Sequence, residues 1–528
     1  MQTLRVLLCA GWISTLACTQ AAAQTCYLVS FTDKDTAACF DPAGYLDAAA
    51  LAHRKALGLP AYDDCDMPLR PGYVATVAGC VDSLRYQLRW LNAVSVQATP
   101  AQVALLAGLP FVAGIEPLGL HEVQLTATGD QPPRYDSLLH LVRDQLYLDS
   151  LAVRGLTGAG VRVAILDAGF READTHPALA DARARGQILH TYDFFAAQTD
   201  VYTHSWHGTE VVSCVAGRYA DGRPLGAAPD ALLLLARVEH ERRERPAEED
   251  HWIAALEWAA RLGAQIVSSS VNYTTRYRYA DMDGRTTPVS RAAALAAGKG
   301  VLVVCAMGNE GDSKWRYMGA PADVPSVLSV GASLPMLREH IPFASIGPNA
   351  RNETKPDLAA PGFMLTAWKR GRYAENAGTS FSTPLVAGLA ACLLQQQPDK
   401  TPAALAQQLR ELGHLYPYYD YKLGYGVPDC RRILADSLWR DVAPTFIVSY
   451  PGDSVVLAFD PIAMRQDSAA HPFGKILYYH LEMPGGGLAA YQQIRIPTDA
   501  RYYYFRRSAG STGILRIWFE GYLYEQRW

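Results

Sequence analysis

From residue 160 to about 438 the chain alternates between two textures. Runs at 161–166, 231–238, 266–271, 301–306 and 327–330 are mostly apolar and rich in Val, Ile, Leu and Ala, with Ser268, Ser269 and Ser270 the longest interruption. A strand wet on one face would alternate with charged or strongly polar residues, so runs of this texture predict strands covered on both faces. Between and after them, 252–262, 290–298, 382–397 and 402–412 carry apolar residues at helical spacing. Strand and helix in turn predict an α/β unit, a parallel sheet with helices on both faces.

The flanks read differently. Residues 27–31 are strand-like, 47–58 helical, 84–98 partly alternating and 100–108 helical, with a further apolar run at 111–115. This is a small α+β module, assigned to 24–120. Residues 121–134 contain Gly129, Pro132 and Pro133 in a polar setting and read as a linker. An amphipathic helix is expected over 135–154, and the α/β unit is assigned to 135–439. Beyond it, short aromatic and β-branched runs at 445–450, 454–459, 475–483, 492–497, 501–506 and 513–519 are separated by turn residues. They predict a small all-β, sandwich-like domain over 440–528.

The first 23 residues stand apart. Arg5 is their only charge, residues 6–17 are apolar, and Ala21-Ala22-Ala23 offers small residues for cleavage. That is a secretory signal, too short and wrongly flanked for a membrane span, and it implies a secreted, cell-surface or periplasmic protein. Cys18 after Thr15-Leu16-Ala17 is only loosely like a lipoprotein site. No later run is long and apolar enough to span a bilayer. The net charge of −4 gives no basis for nucleic-acid binding. Cys26, Cys39, Cys65 and Cys80 are expected to form disulfides in an exported chain, with three pairings open.

Three stretches carry candidate chemistry. Ile165-Leu166-Asp167-Ala168-Gly169 puts a carboxylate at the end of a buried strand, where parallel sheets build sites. His207-Gly208-Thr209 opens a run of small and β-branched residues. Gly378-Thr379-Ser380-Phe381-Ser382-Thr383-Pro384 leads a serine into a buried helix, with the Pro expected in the first turn. Taken singly, these read as a turn Asp, a surface His and an N-cap Ser. Together they supply a nucleophile, a base and a group that fixes the tautomer of the base.

In that order the motifs make residues 155–426 resemble the subtilisin-like serine peptidases, the subtilases. The resemblance implies Ser380 as nucleophile, His207 as general base and acid, and Asp167 as the orienting carboxylate. It implies that Asn309, in Ala306-Met307-Gly308-Asn309, is an oxyanion donor beside the Ser380 backbone N–H. It also places Ser270, Val271 and Asn272 where a substrate strand pairs, with Asn272 in place of the usual Gly. The 24–120 module is expected to be a prodomain, an intramolecular chaperone and inhibitor of a zymogen, with 121–134 as its processing region. The expected substrate is a protein or peptide.

The sequence departs from the family at Glu210 and Leu385, where a His is usual; neither position belongs to the triad. No motif specifies a cofactor or metal. His204 and His207 stand three apart without a suitable third ligand, and Asp281-Met282-Asp283-Gly284 reads as a turn rather than a calcium loop. The charged run 239–250 is expected to be a solvated loop. Two rival readings are an esterase, disfavoured by the missing Gly-x-Ser-x-Gly, and a binding protein on a degenerate peptidase scaffold.

Overall fold

The structure, a computed structural model, describes residues 25–35, 39–118, 135–240, 248–434, 442–466, 473–507 and 512–528. The signal stretch 1–23 and the linker 121–134 lie outside the described residues.

The N-terminal module is an antiparallel sheet of β1 (Thr25–Phe31), β2 (Ser83–Leu88), β3 (Ala93–Ala98) and β4 (Val112–Pro117), in the order β2-β3-β1-β4. The expected continuous stretch 84–98 is thus a hairpin. Alternation along each strand gives the sheet two apolar faces. Val29, Phe31, Val94 and Val96 pack with Val77 and Leu106 of the module's own helices. Leu28, Leu88 and Ala93 join a core shared with Trp252, Ile253 and Leu256 of the helix Glu249–Arg261. The module is therefore bound to the central unit through one face of its sheet.

None of the cysteines from Cys26 onward is in a disulfide, contrary to expectation. Cys26 lies in the shared core, Cys80 packs into the core on the opposite face of the sheet, and Cys39 is exposed. The sheet itself separates Cys26 from Cys80.

The central unit holds seven parallel strands: β5 (Arg162–Asp167), β6 (Ile188–Asp193), β7 (Leu232–Arg237), β8 (Ile266–Ser269), β9 (Leu302–Ala306), β10 (Leu328–Ser333) and β11 (Leu358–Pro361). Their order is β11-β10-β9-β8-β5-β7-β6. Val163 and Ile165 of β5 face the core containing the helices His207–Ala216 and Thr379–Gln396. Ala164 and Leu166 face the core containing the helices Glu249–Arg261 and Pro288–Gly298. The chain works outward from β5 to β6, returns through β7, then crosses to β8. The C-terminal end of β5 is therefore a switch point, where open parallel sheets leave a crevice.

A hairpin of β12 (Phe363–Trp368) and β13 (Arg372–Ala377) leads directly into the helix Thr379–Gln396. The expected helix over 135–154 is broken: Tyr135–Leu146 and Leu148–Val153 are joined by Tyr147 at φ 55°.

The C-terminal region forms two antiparallel sheets. One orders β14 (Phe446–Ser449), β15 (Ser454–Phe459) and β18 (Tyr502–Arg506) as β14-β15-β18. The other, β17-β16-β19-β20, uses β16 (Lys475–Glu482), β17 (Leu488–Ile496), β19 (Ile514–Phe519) and β20 (Tyr522–Arg527). Val455 and Leu457 from the first share one core with Leu477, Leu515 and Ile517 from the second, a sandwich. Its Tyr478 and Trp518 pack into the central core, and Gln493 donates to Asp420 at 3.0 Å.

Candidate active site

Asp167 is the last residue of β5 and is wholly buried. Its Oδ1 accepts from the Ala168 N–H at 2.7 Å and from His207 Nδ1 at 2.8 Å. Because the carboxylate can only accept, Nδ1 carries the hydrogen and Nε2 of the neutral ring is left as the acceptor. Asp167 Oδ2 is also buried and has no hydrogen-bond donor among the described residues.

His207 is the first residue of its helix, and its N–H donates to Ser205 Oγ at 3.1 Å. Two glycines hold this helix against the end of β5. Gly169 has φ +140°, and a Cβ there would lie 2.7 Å from the Ser205 nitrogen. A Cβ on Gly208 would lie 2.4 Å from the Gly169 carbonyl oxygen, which instead accepts the Gly208 N–H at 2.9 Å.

Ser380 is the second residue of the buried helix Thr379–Gln396, and it retains 8% exposure. The ring of the following Phe381 lies 5.9 Å from that of His207, centroid to centroid. Pro384 lies a turn further in than the sequence reading placed it, inside the helix rather than at its first turn. Asn309 comes from the loop after β9. Its Oδ1 accepts from both the N–H and the hydroxyl of Thr379, each at 3.0 Å. A backbone N–H must meet the oxygen of the amide, so the Asn309 Nδ2 is turned away from Thr379 and available as a donor.

Of the three residues expected to pair with substrate, Ser270 donates its hydroxyl to the Ser380 carbonyl at 2.9 Å. Val271 is buried in the core. The Asn272 Nδ2 is committed to the Ala306 carbonyl at 2.7 Å, so this side chain is anchored between β8 and β9. The C-terminal ends of β5, β8 and β9 thus bring Asp167, His207, Ser380, Asn309 and Ser270 to one place.

The run 239–250 does not behave as a solvated loop where it is described. Glu239, Glu248, Glu249 and Asp250 are all buried; residues 241–247 lie outside the described set. Burial, with Glu248 and Asp167 adding to it, pushes the Glu239 carboxyl well above the ordinary range. Asp250 pairs with Arg85 of β2 at 2.7 Å, and Glu257 accepts the Arg89 and Trp90 N–H groups at 3.1 and 2.9 Å. Charge density along the sequence suggested water; at Asp250 the N-terminal module takes its place, and at Glu248 and Glu249 the His240 N–H and the Tyr277 hydroxyl do. His204 and His207 turn to different carboxylates, His204 to Asp193 at 3.5 Å. Asp283 accepts the Arg285 and Thr286 N–H groups at 2.9 and 2.7 Å, closing a turn.

Residues 158–426 match the Subtilase family, and residues 26–131 match the Peptidase S8 propeptide domain of Bacteroidota. Subtilisin NAT of Bacillus subtilis subsp. natto is 29% identical over 282 residues, covering 52% of this chain and 67% of that protein. Subtilisin BL of Lederbergia lenta is 30% identical over 258 residues, covering 49% of this chain and 84% of that one. Fervidolysin from Fervidobacterium pennivorans, described as a keratinolytic enzyme related to subtilisin, shares the fold with a TM-score of 0.55 at 17% identity. That likeness spans 94% of this chain and 71% of fervidolysin. The chain belongs to the subtilase family of serine endopeptidases and carries the propeptide domain of that family ahead of its peptidase domain.

Proposed function

We propose that the protein is an exported endopeptidase in which Ser380, His207 and Asp167 are the catalytic triad. The observation that carries this reading is the 2.8 Å contact between His207 Nδ1 and the buried Asp167, which leaves Nε2 as the base. His207 Nε2 takes the Ser380 proton as Oγ attacks the substrate carbonyl. Asp167 stabilises the imidazolium that forms, without taking its proton. Negative charge develops on the former carbonyl oxygen, met by Asn309 Nδ2 and the Ser380 backbone N–H at the positive end of a helix. His207 returns the proton to the leaving amine, and water, activated the same way, releases the acyl group from Ser380.

Ser270, Val271 and Asn272 line the side on which a substrate strand adds by backbone pairing. The 24–120 module acts as an intramolecular inhibitor and chaperone, released by cleavage within 121–134. Residues 1–23 direct export; among the described residues no helix is long and apolar enough to cross a membrane.

The test is digestion of a peptide library by the full-length chain and by its Ser380→Ala variant. The reading predicts internal cleavage by the first and none by the second. No cleavage by either, or equal cleavage by both, would contradict it.

A further inference from the structure

We propose that Trp206, Arg171 and Lys369 form a subsite for an acidic side chain of the substrate, next to the scissile bond on the His207 side. This rests on the peptidase reading above and names a substrate class for the same cleft.

Trp206 immediately precedes His207 and caps its helix. The indole is half-buried, and its Nε1 is enclosed with no acceptor among the described residues. Two cations lie against that ring. The Arg171 guanidinium carbon is 4.1 Å from the ring centroid, and Lys369 Nζ is 5.0 Å from it. Lys369 Nζ is also 4.5 Å from the Trp368 ring.

The cations arrive from different elements. Arg171 lies four residues after Asp167, fixed by its N–H on the Ser205 carbonyl at 2.8 Å and by the Thr209 hydroxyl on its own carbonyl at 2.8 Å. Lys369 sits at the tip between β12 and β13. Neither has an ion-pair partner among the described residues. The nearest acid in sequence, Glu172, has an oxygen on the Arg370 N–H at 2.7 Å.

Two like charges on one ring repel, and attraction to the ring quadrupole offsets this only in part. An anion between them would relieve the repulsion and gain a guanidinium fork and an ammonium as donors. A peptide whose carbonyl carbon reaches Ser380 while its leaving amine reaches His207 must pass the residue preceding His207. An Asp or Glu side chain flanking the cut therefore meets these cations with the indole as its floor. Gln or Asn fits the same space without the charge.

The full-length chain would be assayed on peptides that differ only by Glu or Gln at each position flanking a single scissile bond. At one of those positions Glu should raise kcat/KM over Gln by about 1.5- to fivefold, the range of an exposed ion pair. The ratio should shrink at about 0.5 M salt. It should fall to near unity in the Arg171→Gln/Lys369→Gln double variant. If Gln peptides are cut but Glu gives no gain at any position, or the gain persists in the double variant, the subsite is overturned and the peptidase reading stands. If no peptide is cut, the peptidase reading falls first and the subsite with it.

Discussion

The Ser270 hydroxyl donates to the Ser380 carbonyl at 2.9 Å, and Pro384 is the reason that this carbonyl is open. In a helix the Ser380 oxygen would accept from the N–H four residues on. Position 384 is a proline and has none. A serine at the end of β8 supplies the missing donor, tying the Ser380 backbone to the sheet.

Removing that hydroxyl leaves a buried carbonyl without a partner. Ser270→Ala should cost about 1–2 kcal/mol of stability. Thermal unfolding in a Ser380→Ala background, which prevents self-digestion, measures it. Pro384→Ala restores an N–H to the ladder, so adding it to Ser270→Ala should recover much of the loss. Independent losses in the double variant would show that the two residues do not share this carbonyl.

Asn309→Ala should lower kcat by about 10²–10³ with KM little changed, the figure known for the corresponding donor of subtilisin itself. Asn309→Asp should lose at least as much, since it replaces the donor with a charge of the wrong sign. Steady-state kinetics on one good peptide decides this. A KM effect alone would move Asn309 from the oxyanion to general substrate binding.

The contact between the N-terminal module and the peptidase domain should depend on pH through two groups of opposite sign. Arg85 only donates, so its 2.7 Å contact to His251 Nε2 requires a neutral ring, and burial holds that ring down at about 4. Exposed, it returns to about 6.5, so the His251 contribution is full above that pH and is lost as pH falls toward 4. Glu257, bonded to the Arg89 and Trp90 N–H groups, is pushed up by burial to about 7. Its contribution is full below about 4.5 and is lost as pH rises through 7.

Glu257→Gln should leave the His251 dependence alone, holding the module at pH 7.5 and releasing it at pH 5. His251→Gln should reverse that preference. Retention of the module on gel filtration, after a cut within 119–134, reads both slopes. Identical profiles for the two variants would contradict the assignment.

If the chain removes its own propeptide, secreted wild type should begin within or just after 121–134, and Ser380→Ala should begin near Gln24. N-terminal sequencing compares them. Identical N-termini near Gln24 would argue against self-processing.

Much of the site was legible because its chemistry sits at strand ends and helix starts. The unbroken apolar runs ending at Asp167 and preceding Asn309 marked strands covered on both faces, and the residues after them had to lie at the sheet edge. Ser380 was legible because small residues lead it into an apolar helix. Other features depend on contacts remote in sequence. Ile188–Asp193 is an edge strand half open to water and lacks the apolar run that marks its neighbours. Nothing local reports that Pro384 lies a turn inside the helix, or that Tyr147 breaks one. Asp250 read as solvated because its partner, Arg85 of β2, lies 165 residues upstream, and Glu249 because the Tyr277 hydroxyl whose hydrogen bond it accepts is 28 residues away. Cysteine count in a chain expected to be exported suggested disulfides, but only the sheet shows that Cys26 and Cys80 face opposite cores.

Reaction of the full-length chain with a fluorophosphonate, followed by mass analysis of the Ser380 peptide, tests the central claim most directly. A single adduct on Ser380, lost in His207→Ala and strongly slowed in Asp167→Asn, is the predicted result. An unmodified Ser380, or labelling that is indifferent to His207, would contradict it.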